Sequence, residues 1–207
     1  MKAVLEKCLQ RCIREAERWF GVHIYRVRRR SLGLGMPEYI KLPEHIEIRQ
    51  ASERELWAAT SNPDVHISAD FLREALARGD KAYAAFDDGQ IVAYTWRTGE
   101  TAPHDGGLRV QVSPPFVYGY KGFSLPSHRG MRLNIAVNEA ASAHYRELGY
   151  THSAGFVALY NQSKLVNERE HGYEFLGYAG YLRWFGRIIP FRTHGAKQAG
   201  FGFFQPQ

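Results

Sequence analysis

Ser127-His128-Arg129-Gly130-Met131-Arg132 is the stretch of this 207-residue sequence whose residue types and spacing are best suited to chemistry. Two arginines, a histidine and a glycine stand immediately before an apolar series, Leu133, Val137, Ala140, Ala141 and Leu148. That spacing predicts a helix, and Gly149 stands where a C′ glycine would end it. A helix N-terminus presents unpaired N–H groups and a partial positive charge, so a basic loop opening into one is a ready grip for phosphate. Just upstream, Phe116 to Leu125 is aromatic and β-branched and predicts a strand. Pro126 closes it, because proline cannot donate a ladder hydrogen bond. On an undisturbed strand Tyr118, Tyr120 and Ser124 share one face. An ordinary tyrosine, with a pKa of about 10, is a poor base at neutral pH. It could still relay a proton through water or orient a substrate, and filling an aromatic core is the other use of such residues.

Pro126, two residues, then Arg129-Gly130 resembles the acyl-CoA loop of the GNAT acyltransferase superfamily, where a strand ending V-x-P-x-x is followed by R-G-x-G-x-G/A. A second element lies downstream: Asn161 follows the β-like run 155–159, and Gly172-Tyr173 comes eleven and twelve residues later, similar to the family's N-x(10)-G-F. The resemblance spans roughly residues 46–189. It implies an α/β (α+β) fold of GNAT-like type, with a mixed, mostly antiparallel sheet splayed between its fourth and fifth strands and flanked by helices. It implies transfer of an acyl group from acyl-CoA or acetyl-CoA to a small-molecule amine by direct attack, with no metal. In such proteins the splayed strand takes the pantetheine arm as an added strand. That role falls on Phe123, Ser124 and Leu125. Arg129, Gly130, Met131, Arg132, Leu133 and Asn134 would face the pyrophosphate, with Asn161 and Ser163 also on the donor side. Tyr118, Tyr120 and Tyr160 are the candidates for moving the proton.

Three departures from the family pattern bear on donor and activity. Arg132 replaces the second loop glycine, Asn134 replaces the last Gly/Ala, and Glu168 stands where many members have a tyrosine acid. Arginine binds phosphate through its guanidinium. It also suits a donor with a single phosphate, the phosphopantetheine of acyl carrier protein, and the basic run Arg26–Arg30 would then be its docking site. The third reading is a GNAT-fold binding module without activity.

The elements that must position these residues follow in order. Residues 3–20 form an amphipathic pattern, with Leu5, Leu9, Cys12, Ile13, Ala16 and Phe20 as a stripe expected to pack on the chain's own body. Cys8 and Cys12, one helical turn apart, are expected as small buried side chains rather than a disulfide or metal site. Residues 23–32 predict an edge strand rich in arginine, and 33–43 a linker. The expected divisions are 1–43 as an N-terminal helix-strand extension and linker, 44–192 as the acyltransferase domain, and 193–207 as a tail. Within the domain, 45–50 predicts a strand, Ser52 with Glu55 a capping box, and Ser68 the cap of a second helix. Asp88-Gly89 predicts a hairpin between 81–86 and 91–98. Residues 100–115 predict a loop in which His104 and Asp105 are possible acid/base groups. Residues 150–159 predict a fifth strand, and 162–171 a short helix.

The formal net charge is +6, which favours an anionic partner. No nucleic-acid-binding motif is visible, so nucleic acid ranks last. No apolar run is long enough to span a bilayer, and Glu6, Lys7, Gln10 and Arg11 interrupt any leader-like core. A cytoplasmic protein is the expectation, and a homodimer is compatible with it.

Overall fold

A computed structural model of the chain describes residues 11, 12, 14, 15, 17, 19–161 and 172–206. Cys8, most of the predicted helix 3–20, and the predicted helix 162–171 with Ser163 and Glu168 lie outside the described residues. The chain folds as two compact units. One comprises residues 32–99 and 117–151, and the other 1–31, 100–116 and 152–207.

The unit holding the basic loop 127–132 is built on antiparallel strands β2 (Glu47–Gln50), β3 (Lys81–Asp87), β4 (Gln90–Thr98) and β7 (Phe116–Ser124). The β3–β4 turn has Asp88 and Gly89 at φ +47° and +74°, the left-handed pair that a two-residue hairpin demands. Helices α1 (Glu53–Ala59) and α2 (Ala69–Ala77) precede the hairpin, and α3 (Leu133–Glu147) follows β7. Leu56 of α1 and Leu72 and Ala75 of α2 pack with Tyr94 and Trp96 of β4. Leu133 and Val137 of α3 pack with Ala93 of β4 and Ala85 of β3. Helices therefore cover both faces of a mostly antiparallel sheet, in the β-α-α-β-β-β-α order of a GNAT-like fold.

Ser52 and Glu55 form the capping box the sequence predicts. Arg49 reaches Glu55 through two hydrogen bonds, of 2.9 and 2.7 Å. These, with the Ser52 hydroxyl, hold the Glu55 carboxyl down at about 2 from an ordinary 4.5. A depressed carboxylate contributes stability that is complete above its unfolded value and is lost as pH falls through its folded one. Glu55→Gln should thus cost about 1 kcal/mol near neutrality, a modest figure because the pair reaches solvent. Urea midpoints of wild type and variant should converge as pH is lowered from about 4.5 to about 2; a gap that persists at the acid end would refute the linkage.

In the other unit β1 (Val22–Ser31) lies between β8 (His152–Ala158) and β9 (Tyr173–Trp184), antiparallel to both. It is an interior strand and not the edge strand its charge suggests. Its arginines are absorbed locally. Arg29 bonds Glu174 at 2.8 and 2.7 Å, and Arg26 and Arg28 lie over the rings of Phe175 and Tyr173, at 4.5 and 3.9 Å from the centroids. The edge is β10 (Arg187–Arg192), paired with β9. Its hairpin turn is Phe185-Gly186, with φ +45° and +77°. An aromatic residue in the left-handed region costs about 1–2 kcal/mol, where the usual choice is asparagine.

Residues 100–115 are not a loop. They form the hairpin β5 (Thr101–Pro103) and β6 (Arg109–Gln111), which pairs with β11 (Gly202–Phe204). The C-terminal segment thus folds back as α4 (His194–Gln198) and β11. Cys12 and Phe20 are exposed, where the stripe pattern placed both against the body.

Candidate functional site

The loop from β7 to α3 has the shape its residues require. Pro126–His128 makes one 3-10 turn, Gly130 takes φ +87°, and Arg132 takes φ +59° as the N-cap of α3. A glycine at position 132 would adopt that backbone freely. Arginine adopts it at a cost and adds a guanidinium, which lies 4.9 Å from the Tyr39 ring centroid. Arg132 makes no capping side-chain bond to the helix. A left-handed N-cap without a side-chain acceptor leaves the first helical N–H groups to water or an anion.

A cleft of about 390 Å³ opens there, lined by Gly122, Phe123, Ser124, His128, Arg129, Gly130, Arg132, Leu133, Asn134 and Asn138. Seven of the residues assigned to the donor from sequence therefore meet around one cavity: Phe123, Ser124, Arg129, Gly130, Arg132, Leu133 and Asn134. Leu125 and Met131 instead pack into the apolar layer beneath α3, and Leu125 N–H donates to Val92 at 2.8 Å. Asn138 fixes the cleft floor. Its amide bonds Asn134 O, and its Oδ1 accepts from buried Arg97, both at 2.5 Å.

Sequence reasoning placed His128 in the basic loop but gave it no partner. His128 Nε2 lies 2.9 Å from Asp87 Oδ2, and its Nδ1 lies 2.9 Å from Ser127 Oγ. Asp87 ends β3, so this link ties the basic loop to the hairpin. A doublet Ser-His carries no spacing signal for a partner 41 residues away.

Tyr118 and Tyr120 do share a face, with rings stacked at 6.1 Å and 8°. Ser124 is not on it. The β4–β7 register shifts between Tyr94↔Phe123 and Trp96↔Tyr120, around Lys121 at φ +47° and Gly122. One extra residue reverses the alternation. Phe123 therefore follows Tyr120 onto the α1/α2 face, while Ser124 pairs with Ala93, which packs under α3. Period-two reasoning fails at a bulge.

Tyr120 donates to Asp80 Oδ2 at 2.5 Å, and Arg78 Nη2 donates to the Tyr120 hydroxyl at 3.3 Å. Arg78 also pairs with Asp80 at 2.8 Å. Asp80 is 3 % exposed, and its Oδ1 is buried without a hydrogen-bond partner. Burial, and then the bond to Asp80, push the Tyr120 hydroxyl well above the ordinary tyrosine value. Burial does the same to Tyr118. Asp80 therefore offers the Tyr120 hydroxyl a buried carboxylate oxygen as acceptor. It stands after the helix-ending Gly79, and only the fold brings it to Tyr120.

Tyr160 and Asn161 follow β8 in the other unit, where the Arg14 guanidinium lies 5.7 Å from the Tyr160 ring. His104 is packed among Tyr25, Phe156, Tyr181 and Phe203, with Nε2 3.4 Å from the Tyr25 hydroxyl. Burial lowers its pKa. That enclosure makes it a packing residue rather than a free acid or base. Among the described residues, no group of three or more His, Cys, Asp or Glu side chains could hold a metal. None of their helices is long and apolar enough to cross a membrane.

No family model matches the sequence, and no curated protein does. Solved structures do show similarity. A Drosophila protein aligns at TM-score 0.50 and 13% identity, covering 78% of this chain and 50% of that one. A GCN5-related N-acetyltransferase from Kribbella flavida aligns at 0.47 and 17%, covering 86% and 61%. The structure of AAC(6')-Iy in complex with a bisubstrate analog, CoA-S-monomethyl-acetylneamine, aligns at 0.48 and 18%, covering 73% and 99%. The chain spans less than two thirds of the length of the first two of these.

Proposed function

We propose that this chain is an acyltransferase that takes an acyl group from a pantetheine thioester, acyl-CoA in the first instance, and gives it to a small amine. The observation that carries the reading is the cleft at the end of β7, where Arg129, Arg132 and the N-terminus of α3 converge. Phosphate oxygens would meet N–H groups and guanidinium donors together there. Phe123 and Ser124 would flank the pantetheine arm. Coenzyme A supplies the activated thioester, and what the chain adds is grip, orientation and a path for the proton.

For that path the favoured route is Tyr120 to Asp80. The attacking nitrogen loses a proton to the Tyr120 oxygen as Tyr120 passes its own to Asp80 Oδ2. The hydroxyl is a conduit, and the carboxylate is the base. A tyrosine with a raised pKa could not serve as the base alone.

Acyl carrier protein is the second donor reading, favoured by the arginine at position 132. The run Arg26–Arg30 supports it less, since Arg29 is ion-paired and Arg26 and Arg28 lie on aromatic faces.

Arg129→Ala should weaken CoA binding by roughly 10- to 100-fold, the worth of one charge-assisted hydrogen bond to phosphate. Titration calorimetry of wild type and variant, with circular dichroism to confirm folding, tests it. Equal affinities would remove the loop from donor binding. Wild-type protein that ignores CoA yet turns over acyl carrier protein would move the reading to the second donor.

A further inference from the structure

The β9–β10 hairpin ends in two exposed aromatic residues. Trp184 is 56 % and Phe185 90 % exposed, with rings 5.0 Å apart and nearly perpendicular. They touch each other and project from the tip. Two features of this tip work against the fold alone. Phe185 occupies a left-handed turn position that asparagine would fill without strain, and it leaves a full aromatic face in water.

The same end of the sheet carries a second exposed pair. Gly21 O accepts a hydrogen bond from Arg183 N–H at 2.8 Å, and Val22 pairs with Leu182. Trp19 and Phe20 therefore enter the sheet beside Arg183-Trp184, and they are 75 % and 67 % exposed. Along the edge strand Ile189 and Phe191 are also exposed. The segment 183–192, RWFGRIIPFR, has three arginines and no carboxylate.

We propose that this sheet end docks on an anionic lipid surface, with Trp184 and Phe185 entering the interface beside Trp19 and Phe20, and Arg187 of the same hairpin meeting headgroup phosphate. Tryptophan and phenylalanine flanked by arginine are the composition of interfacial anchors. Tryptophan settles at headgroup depth, and each cation near an anionic leaflet adds attraction. A second copy of the chain fits the surface less well. Pro190 removes a backbone donor from the edge strand, and like charges flank the apolar residues, both of which discourage edge-to-edge pairing.

The experiment is sedimentation of the full chain with vesicles of phosphatidylcholine alone or mixed with phosphatidylglycerol, at low and high salt. Binding is expected to the anionic vesicles, weakened by salt, with a blue shift of tryptophan emission and quenching by brominated acyl chains. Phe185→Asn restores the preferred turn pair, so it should fold at least as well as wild type while lowering the partition coefficient roughly tenfold or more. Arg187→Gln should weaken the salt dependence. No binding to anionic vesicles at low salt, or binding equal in Phe185→Asn and wild type, overturns the proposal. So would sedimentation equilibrium showing a dimer that Phe185→Asn dissolves, since the surface would then belong to a second copy.

Discussion

Tyr120→Phe should lower turnover by roughly 10²-fold or more while leaving CoA affinity unchanged. The substitution keeps the ring among Phe71 and Trp96 and removes only the oxygen that joins Asp80 to the sheet face. Donor grip lies on other residues, so a loss confined to kcat is the signature of the relay. Asp80→Asn gives the second arm. It keeps size and a bond to Tyr120, but it removes the proton acceptor and half of the ion pair with Arg78. Its folded fraction should show the same fall in kcat. The cost in stability is about 3 kcal/mol, because half-buried Arg78 is left with only its looser pair to exposed Glu74, at 3.7 Å. Wild-type kcat in Tyr120→Phe, or in the folded fraction of Asp80→Asn, would reduce the trio to a structural ion pair and return suspicion to Tyr118 and Tyr160.

Gly180→Ala should destabilise the chain by about 1–3 kcal/mol. Gly180 lies in β9 between Ile24 of β1 and Phe191 of β10. A methyl group there would stand 2.0 Å from the His23 carbonyl oxygen and 2.7 Å from the Phe191 ring. The ring can swing aside, but the carbonyl belongs to an interior strand and cannot. Urea unfolding should show a lower midpoint with little change in slope, and Phe191→Ala in the same background should recover only part of the loss. Full recovery would place the conflict in the ring alone.

Much of the architecture could be read from local chemistry, because local chemistry decides it. Asp88-Gly89 dictates its hairpin, Ser52 with Glu55 its helix start, and Gly149, at φ +88°, the end of α3. The grouping of Arg129, Gly130 and Arg132 around one cleft was legible for the same reason: they are near neighbours in sequence and remain so in space. Partners supplied from far along the chain were not. The arginines of β1 look like an edge strand's charge until Glu174, 145 residues on, and the rings of Tyr173 and Phe175 arrive beside them. Residues 100–115 read as a loop because their third strand, β11, lies at the far C-terminus. Asp80 lacked any signal, since nothing in Gly79-Asp80-Lys81 shows that the side chain will be buried against a tyrosine 40 residues later.

The bulge at Lys121–Gly122 is a device of aim rather than of facing. Tyr120 before it and Phe123 after it both pack on the α1/α2 side, while Ser124 pairs with Ala93 on the α3 side. Deleting Gly122 would remove the extra residue and its kink together, leaving Tyr120 and Phe123 two apart on one face and Ser124 still on the other. What the shortened strand would lose is the local bend and added twist that a bulge brings. That bend sits immediately before Phe123 and Ser124, two of the strand residues that line the cleft. The extra residue therefore steers the strand's end without altering which side chains are inside, much as a mitred joint turns a beam without changing its section.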